Sequence, residues 1–94
     1  MLYLELDKSK KRLMKLQIYN QLRKKILTGE LKSGLRLPST RELSGELNVS
    51  RNTVLSAYEM LISEGYVHSI AGSGVYVNNG VHAIKHTDKM IDSR

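Results

Sequence analysis

Ser39-Thr40-Arg41-Glu42-Leu43-Ser44-Gly45-Glu46-Leu47-Asn48-Val49-Ser50-Arg51-Asn52-Thr53-Val54 holds two helix starts and a corner. Ser39 and Glu42 have the spacing of a capping box, in which the serine hydroxyl meets the amide of residue 42 and the carboxylate reaches back to the amide of residue 39. A helix of two turns therefore begins after Ser39, with Leu43 and Leu47 as its core face. Asn48 tolerates the left-handed backbone that a sharp turn requires, and Val49 plugs the corner. Ser50 then caps a longer helix from Arg51 to about Glu64, on which Val54, Leu55, Tyr58, Leu61 and Ile62 recur at helical spacing. Gly65 ends it. A short helix, a three-residue corner and a longer capped helix form a helix-turn-helix unit.

On the N-terminal side, Leu16, Ile18, Tyr19, Leu22, Ile26 and Leu27 put one apolar stripe on a first helix running from Leu13 to Thr28. Lys24 and Lys25 suit its negative end, and Gly29 is placed for a left-handed cap. Residues 30–38 carry a second glycine and the only proline, which predicts a loop whose leucines tuck onto the core. On the C-terminal side the period changes. Tyr66–Ile70 and Val75–Val77 read as the strands of a hairpin around Ala71-Gly72-Ser73-Gly74. The expected fold is α+β and mainly α, a winged helix-turn-helix of three helices plus a C-terminal β-hairpin wing. Residues 1–12 form a basic N-terminal arm, 13–78 the folded domain, and 79–94 a linker or tail.

Ninety-four residues hold one small domain and exclude a large catalytic scaffold. The chain lacks Cys, Phe and Trp, so its core is aliphatic and it offers neither disulfides nor thiolate ligands. Its apolar runs are far shorter than the roughly 20 residues of a membrane span, and its N-terminus has no secretory-signal form. These features predict a cytoplasmic protein without a membrane partner. The formal net charge is +6, and residues 1–25 carry eight basic against two acidic side chains whereas residues 26–80 carry four against five. A cationic front attracts polyanions such as nucleic acid or anionic lipid, and it also suits a solvated helix face.

The second helix of a helix-turn-helix can enter the DNA major groove with its first residues at the base edges. Here those are Arg51, Asn52 and Thr53, with Ser56 about one turn on and Ser50 as the cap. Arg pairs bidentately with guanine, Asn with adenine, and a Thr methyl touches thymine. Arg41 lies in the first turn of the short helix, placed to hold a phosphate across the groove. The tip glycines, with Gly72 and Ser73 outermost, let the backbone lie against a phosphate or the minor groove, and they serve a plain tight turn equally well. Lys11, Arg12, Arg36 and Ser39 complete the set as phosphate contacts. Taken alone, Ser50 to Thr53 would be only a capped surface helix start.

The segments Ile18–Arg23, Gly29–Leu31, Gly34–Ser39, Arg41–Leu43 and Val49–Val54 resemble the winged-helix domain of GntR-family bacterial transcription regulators. Ala57–Leu61, Glu64–Val67 and Gly72–Val77 continue the resemblance, which covers residues 16 to 77. It implies that Arg41 contacts a double-stranded operator from the short helix, that Arg51, Asn52 and Thr53 read it, and that Gly72 lies at the wing tip. Asn48 departs from the glycine frequent there. Such regulators join this module to a C-terminal domain that dimerises and binds a small-molecule effector, so the chain resembles a fragment, or a separately expressed DNA-binding domain, of a homodimeric regulator. The pairing of Ala57-Tyr58 with Glu64-Gly65-Tyr66 and Gly72-Ser73-Gly74 is similar to the MocR branch, whose partner domain holds pyridoxal phosphate. The YtrA-like branch, with a short helical dimerisation tail, shares most of these motifs. No cofactor is assigned within the chain itself.

Other readings compete. An enzyme requires a converging set of nucleophile, base and oxyanion donors, or of metal ligands, and none is evident. His82 and His86 have the spacing of helical metal ligands but lack a third ligand, so no metal is expected. His68 reads as a surface residue or phosphate neighbour. Tyr19, Tyr58, Tyr66 and Tyr76 fall within apolar patterns and are assigned to core packing. The alternatives to sequence-specific DNA recognition are a winged-helix protein-interaction module and a basic membrane-surface binder.

Overall fold

Met14, Ile18, Leu22 and Ile26, each four residues from the last, give the first helix a single buried stripe. In the computed structural model, which describes residues 4–78, this helix is α1, Met14–Leu27, entered through a 3-10 turn at Lys11–Leu13. It is followed by α2 (Thr40–Leu47), α3 (Arg51–Ser63) and the strands β1 (Val67–Ile70) and β2 (Gly74–Val77). Gly29 and Gly65, at φ +85° and +86°, take the left-handed conformation just past the ends of α1 and α3. The expected tail at 79–94, with His82 and His86, lies outside the described residues, as does the start of the arm.

The core forms where α3 lies against both α1 and α2. Val54, Ala57, Tyr58 and Leu61 of α3 meet the α1 stripe, Leu43 of α2, and Val67 and Val77 of the hairpin. Leu31 and Leu37 are drawn in from the loop, as expected. Burying one such aliphatic side chain contributes about 1.5–3 kcal/mol. Tyr58 is the one fully buried aromatic among the described residues, and its hydroxyl donates to the Pro38 carbonyl at 2.6 Å, tying the loop to α3. Burial, with Glu42 and Glu46 nearby, pushes its phenol above the ordinary value.

Four apolar expectations change. Leu16, Leu55 and Ile62 are exposed, at 37%, 44% and 38%. Leu55 and Ile62 each follow a core residue and so sit about 100° around the helix from it, while Leu16 is twice that from Ile18. Leu35 also stays outside. The loop is more ordered than expected, because Leu37 N–H donates to the Val75 carbonyl at 2.8 Å and Val77 N–H to the Leu35 carbonyl at 2.9 Å. This short edge, with Arg36 opposite Tyr76, adds a single antiparallel bridge to the side of β2 that does not face β1.

Cross-strand register explains the tyrosines. Val67 faces Val77 and Ser69 faces Val75 on the inner side, whereas His68 faces Tyr76 on the outer side. Tyr76 is therefore not a core residue. Its ring stacks on His68 with centroids 6.0 Å apart. Tyr19 and Tyr66 are half-buried against the core, as expected, and the Tyr19 hydroxyl donates to Glu64 at 3.1 Å, linking α1 to α3. Burial first, then that hydrogen bond, raises the Tyr19 phenol above its usual range.

Candidate nucleic-acid interface

The corner is built as its residues dictate. Glu42 N–H donates to Ser39 Oγ at 3.0 Å and Ser39 N–H donates to the Glu42 carboxylate at 2.8 Å, so the capping box is complete. Hydrogen bonding to its carboxyl by the Ser39 backbone N–H and then the Ser39 side chain, aided by the charge of Arg36, holds Glu42 below the usual carboxylate range. Asn48 stands at φ 59°, ψ 47°, the left-handed conformation that reverses the chain. Val49 packs against the core beneath it. Ser50 Oγ accepts from Thr53 N–H at 3.1 Å and lies 2.8 Å from the Thr53 hydroxyl.

With Val54, Ala57, Tyr58 and Leu61 turned inward, the first turn of α3 presents Arg51 and Asn52 to solvent, with Thr53 and Ser56 half-buried at its flank. Arg41 is likewise exposed in the first turn of α2. Neither arginine is ion-paired among the described residues, where the one salt bridge joins Lys25 to Glu30. Ser39 and Ser50 differ from the rest. Their side chains are committed to caps.

A cleft of about 190 Å³ opens beside the start of α3. One wall carries Lys11, Arg12 and Lys15 with Met14 between them, the other Asn52, Thr53 and Ser56. The structure thus brings two predicted phosphate contacts together with the predicted base readers Asn52 and Thr53 and with Ser56, while Arg51 lies outside this cleft. Lys15 was not among the predicted residues; its signal was the spacing of four from Lys11, which places both on one side of a helix. The larger cavity, about 500 Å³ between the loop and α2, is lined by Glu30, Glu42 and Glu46 with Arg36 as its only cation. An anion therefore fits the first cleft far better than the second.

The wing tip comprises Ala71, Gly72 and Ser73, all exposed, with Gly72 at φ +78°. Arg36, predicted as a phosphate contact, has a structural task here. Its Nε donates to the Ser73 carbonyl at 3.1 Å. A Cβ at Gly74 would lie 2.7 Å from that same nitrogen, so glycine is required for the arginine to lie across the wing. Ser73 Oγ and the Tyr76 hydroxyl, 2.5 Å apart, stiffen the tip further. His68 is exposed and hydrogen-bonds Asn78, whose amide donates to the Gly65 carbonyl at 2.6 Å. Among the described residues no group of three or more His, Cys, Asp or Glu side chains is placed to hold a metal.

Three helices, a reversing corner with an exposed polar helix start, and a hairpin beside it define a winged helix-turn-helix domain. Residues 14–77 match the gntR family of bacterial regulatory proteins. The chain belongs to that family, and the described unit is its DNA-binding domain. It is 51% identical over 61 residues to the probable rhizopine catabolism regulatory protein MocR of Rhizobium meliloti, an alignment covering 65% of this chain and 12% of MocR. The chain thus spans only a small part of that relative's length. Among solved structures, YtrA from Sulfolobus acidocaldarius, a GntR-family transcription factor, superposes with a TM-score of 0.75 at 31% identity, covering 96% of this chain and 95% of YtrA. The AraR DNA-binding domain, solved with its operator, matches with a TM-score of 0.64 at 28% identity over 68% of this chain and 78% of AraR's.

Proposed function

We propose that this domain reads a double-stranded operator for a transcriptional regulator, with α3 in the major groove. Arg51 pairs with a guanine, Asn52 with an adenine, the Thr53 methyl meets a thymine, and Ser56 follows one turn on. Ser50 orients this turn. Arg41, Lys11 and Arg12 hold phosphates, and Gly72 and Ser73 approach the minor groove. The observation that carries this reading is the exposed start of α3 with Lys11, Arg12 and Lys15 on the wall beside it. The operator complex of the AraR domain supports it. A protein-interaction or lipid-surface role would need no such grouping of base-reading and cationic side chains.

The identity to MocR favours the MocR-like branch. In that reading the complete regulator is a cytoplasmic homodimer whose C-terminal domain binds a small-molecule effector and holds pyridoxal phosphate. None of this chain's residues is assigned to that cofactor, and the domain itself is a reader, not an enzyme. One module alone binds nonspecific DNA at roughly 10⁻⁴–10⁻⁶ M. Two held together read paired half-sites, and the effector acts by changing how well their spacing fits.

The test compares two substitutions on the selected operator and on scrambled duplex. Arg51→Ala costs about 1–3 kcal/mol on the operator and relaxes one base position, whereas Lys11→Ala weakens both duplexes alike and lowers the salt dependence. Equal losses on both duplexes for Arg51→Ala would remove the base-reading assignment.

A further inference from the structure

The N-terminal arm is not loose over its described length. Residues 4–7 lie along α1 as an extended strap, gripped by two glutamines one turn apart. Gln21 Oε1 accepts from Glu5 N–H at 2.9 Å while its Nε2 donates to the Glu5 carbonyl at 2.6 Å. Gln17 Oε1 accepts from Asp7 N–H at 2.7 Å while its Nε2 donates to the Asp7 carbonyl at 3.1 Å. A carboxamide carries one acceptor and a donor pair on a planar end, so each glutamine serves the strap as a neighbouring strand would. Glu5 and Asp7 are alternate residues, and the intervening pattern turns Leu4 and Leu6 onto the core.

Beyond the second clamp the chain folds back. The Asp7 carboxylate accepts from Ser9 N–H at 3.1 Å and from the Ser9 hydroxyl at 2.5 Å, and Lys10 N–H donates to the Asp7 carbonyl at 3.0 Å. This turn delivers the chain into Lys11–Leu13 and α1. Lys8 Nζ reaches the Asn48 carbonyl at 3.4 Å, at the corner between α2 and α3. Lys11 and Arg12 reach the cleft opposite Asn52 and Thr53. Lys11 and Arg12 therefore stand at the junction where the strap's turn meets the start of α1.

We propose that Gln17 and Gln21 are positioning residues for DNA binding: by clamping the strap they fix Lys11 and Arg12 beside α3, where with Lys15 they seat a backbone phosphate of the duplex. The inference rests on the DNA-binding reading above. It assigns to two uncharged side chains, which touch no DNA, control over how many phosphates the domain neutralises.

Phosphate binding is independent of sequence, so a short random-sequence duplex is a sufficient probe. Binding by the full chain is followed by fluorescence anisotropy across a salt titration for four proteins: the parent, the pair Gln17→Met with Gln21→Met, the pair Lys11→Ala with Arg12→Ala, and all four substitutions together. Releasing the strap makes the slope of log affinity against log salt shallower by about 0.9 for each phosphate that is no longer neutralised. The fourfold variant binds little worse than the Lys11/Arg12 pair, because cations that are no longer held have less to lose. Amide exchange supplies the second measurement: the Glu5 and Asp7 amides lose protection in the glutamine pair while those of α1 and α3 keep it.

A parental slope in the glutamine pair, with both amides unprotected, overturns the inference, as does full additivity in the fourfold variant. Loss of protection throughout α1 and α3 also overturns it, because the glutamines would then be supporting the fold as a whole. A parent chain that binds no duplex even at low salt brings down the DNA-binding reading itself, a result distinct from the other three.

Discussion

At the α2–α3 corner the hydrogen bonds that shape the backbone join residues three to five apart: Glu42 to Ser39, Val49 to Ser44, Thr53 to Ser50. The N-terminal strap flanks the same recognition helix, yet its clamps join residues 10 and 16 apart. The corner is specified by neighbours in the chain and needs only a core beneath it to stay folded. The strap has no structure of its own to adopt, since an extended segment without a partner leaves its amides to water. One domain thus carries a surface fixed by local chemistry and another fixed only once α1 exists.

The largest expected effect separates the two supports. Leu43 is fully buried under the corner, and Leu43→Ala lowers unfolding stability by about 2–5 kcal/mol, a large fraction of what a small domain has. Leu6 is half-buried under the strap, and Leu6→Ala costs only about 1 kcal/mol. Equal losses in denaturant melts would make strap and corner a single cooperative support, and the contrast would collapse.

Next comes Asn48, where the corner itself is tested. At φ 59° a β-branched side chain is strained, so Asn48→Val destabilises by about 1–2 kcal/mol, whereas Asn48→Gly is tolerated. Thermal melts of both variants check this, and a valine as benign as the glycine would mean that the left-handed turn is not what sets the corner.

The smallest effect concerns pH. The Glu42 carboxyl is held low by its hydrogen bonds to Ser39, so it contributes stability fully above the ordinary carboxylate pKa of about 4.3 and loses that contribution as pH falls through the lowered folded value. Glu42→Gln keeps the hydrogen bond but removes the titration, so the acid side of the stability profile becomes flatter. An unchanged profile would show that the box acts at the corner without its charge.

The residues that carry the DNA-reading proposal were legible for the same reason the corner was. Ser39, Asn48 and Ser50 each satisfy a rule that involves only their immediate neighbours, and once those three are placed, Arg51 and Asn52 must face outward because Val54, Ala57 and Tyr58 face inward. Periodicity was less decisive at its edges. Leu16, Leu55 and Ile62 have the composition of core residues, and only the direction from which neighbouring helices approach leaves them in solvent.

From the sequence by itself came the three helices, the reversed corner, the hairpin and the outward face of the recognition helix, because caps, turns and alternation act within a few residues. Tertiary structure alone decided that Arg36 lies across a wing 37 residues away. It also decided that Tyr76 points outward with His68, and that Gln17 and Gln21 hold the strap. Each of these joins groups distant in the chain. A polar side chain able to bond almost anywhere acquires one partner only when the packed core brings that partner within about 3 Å.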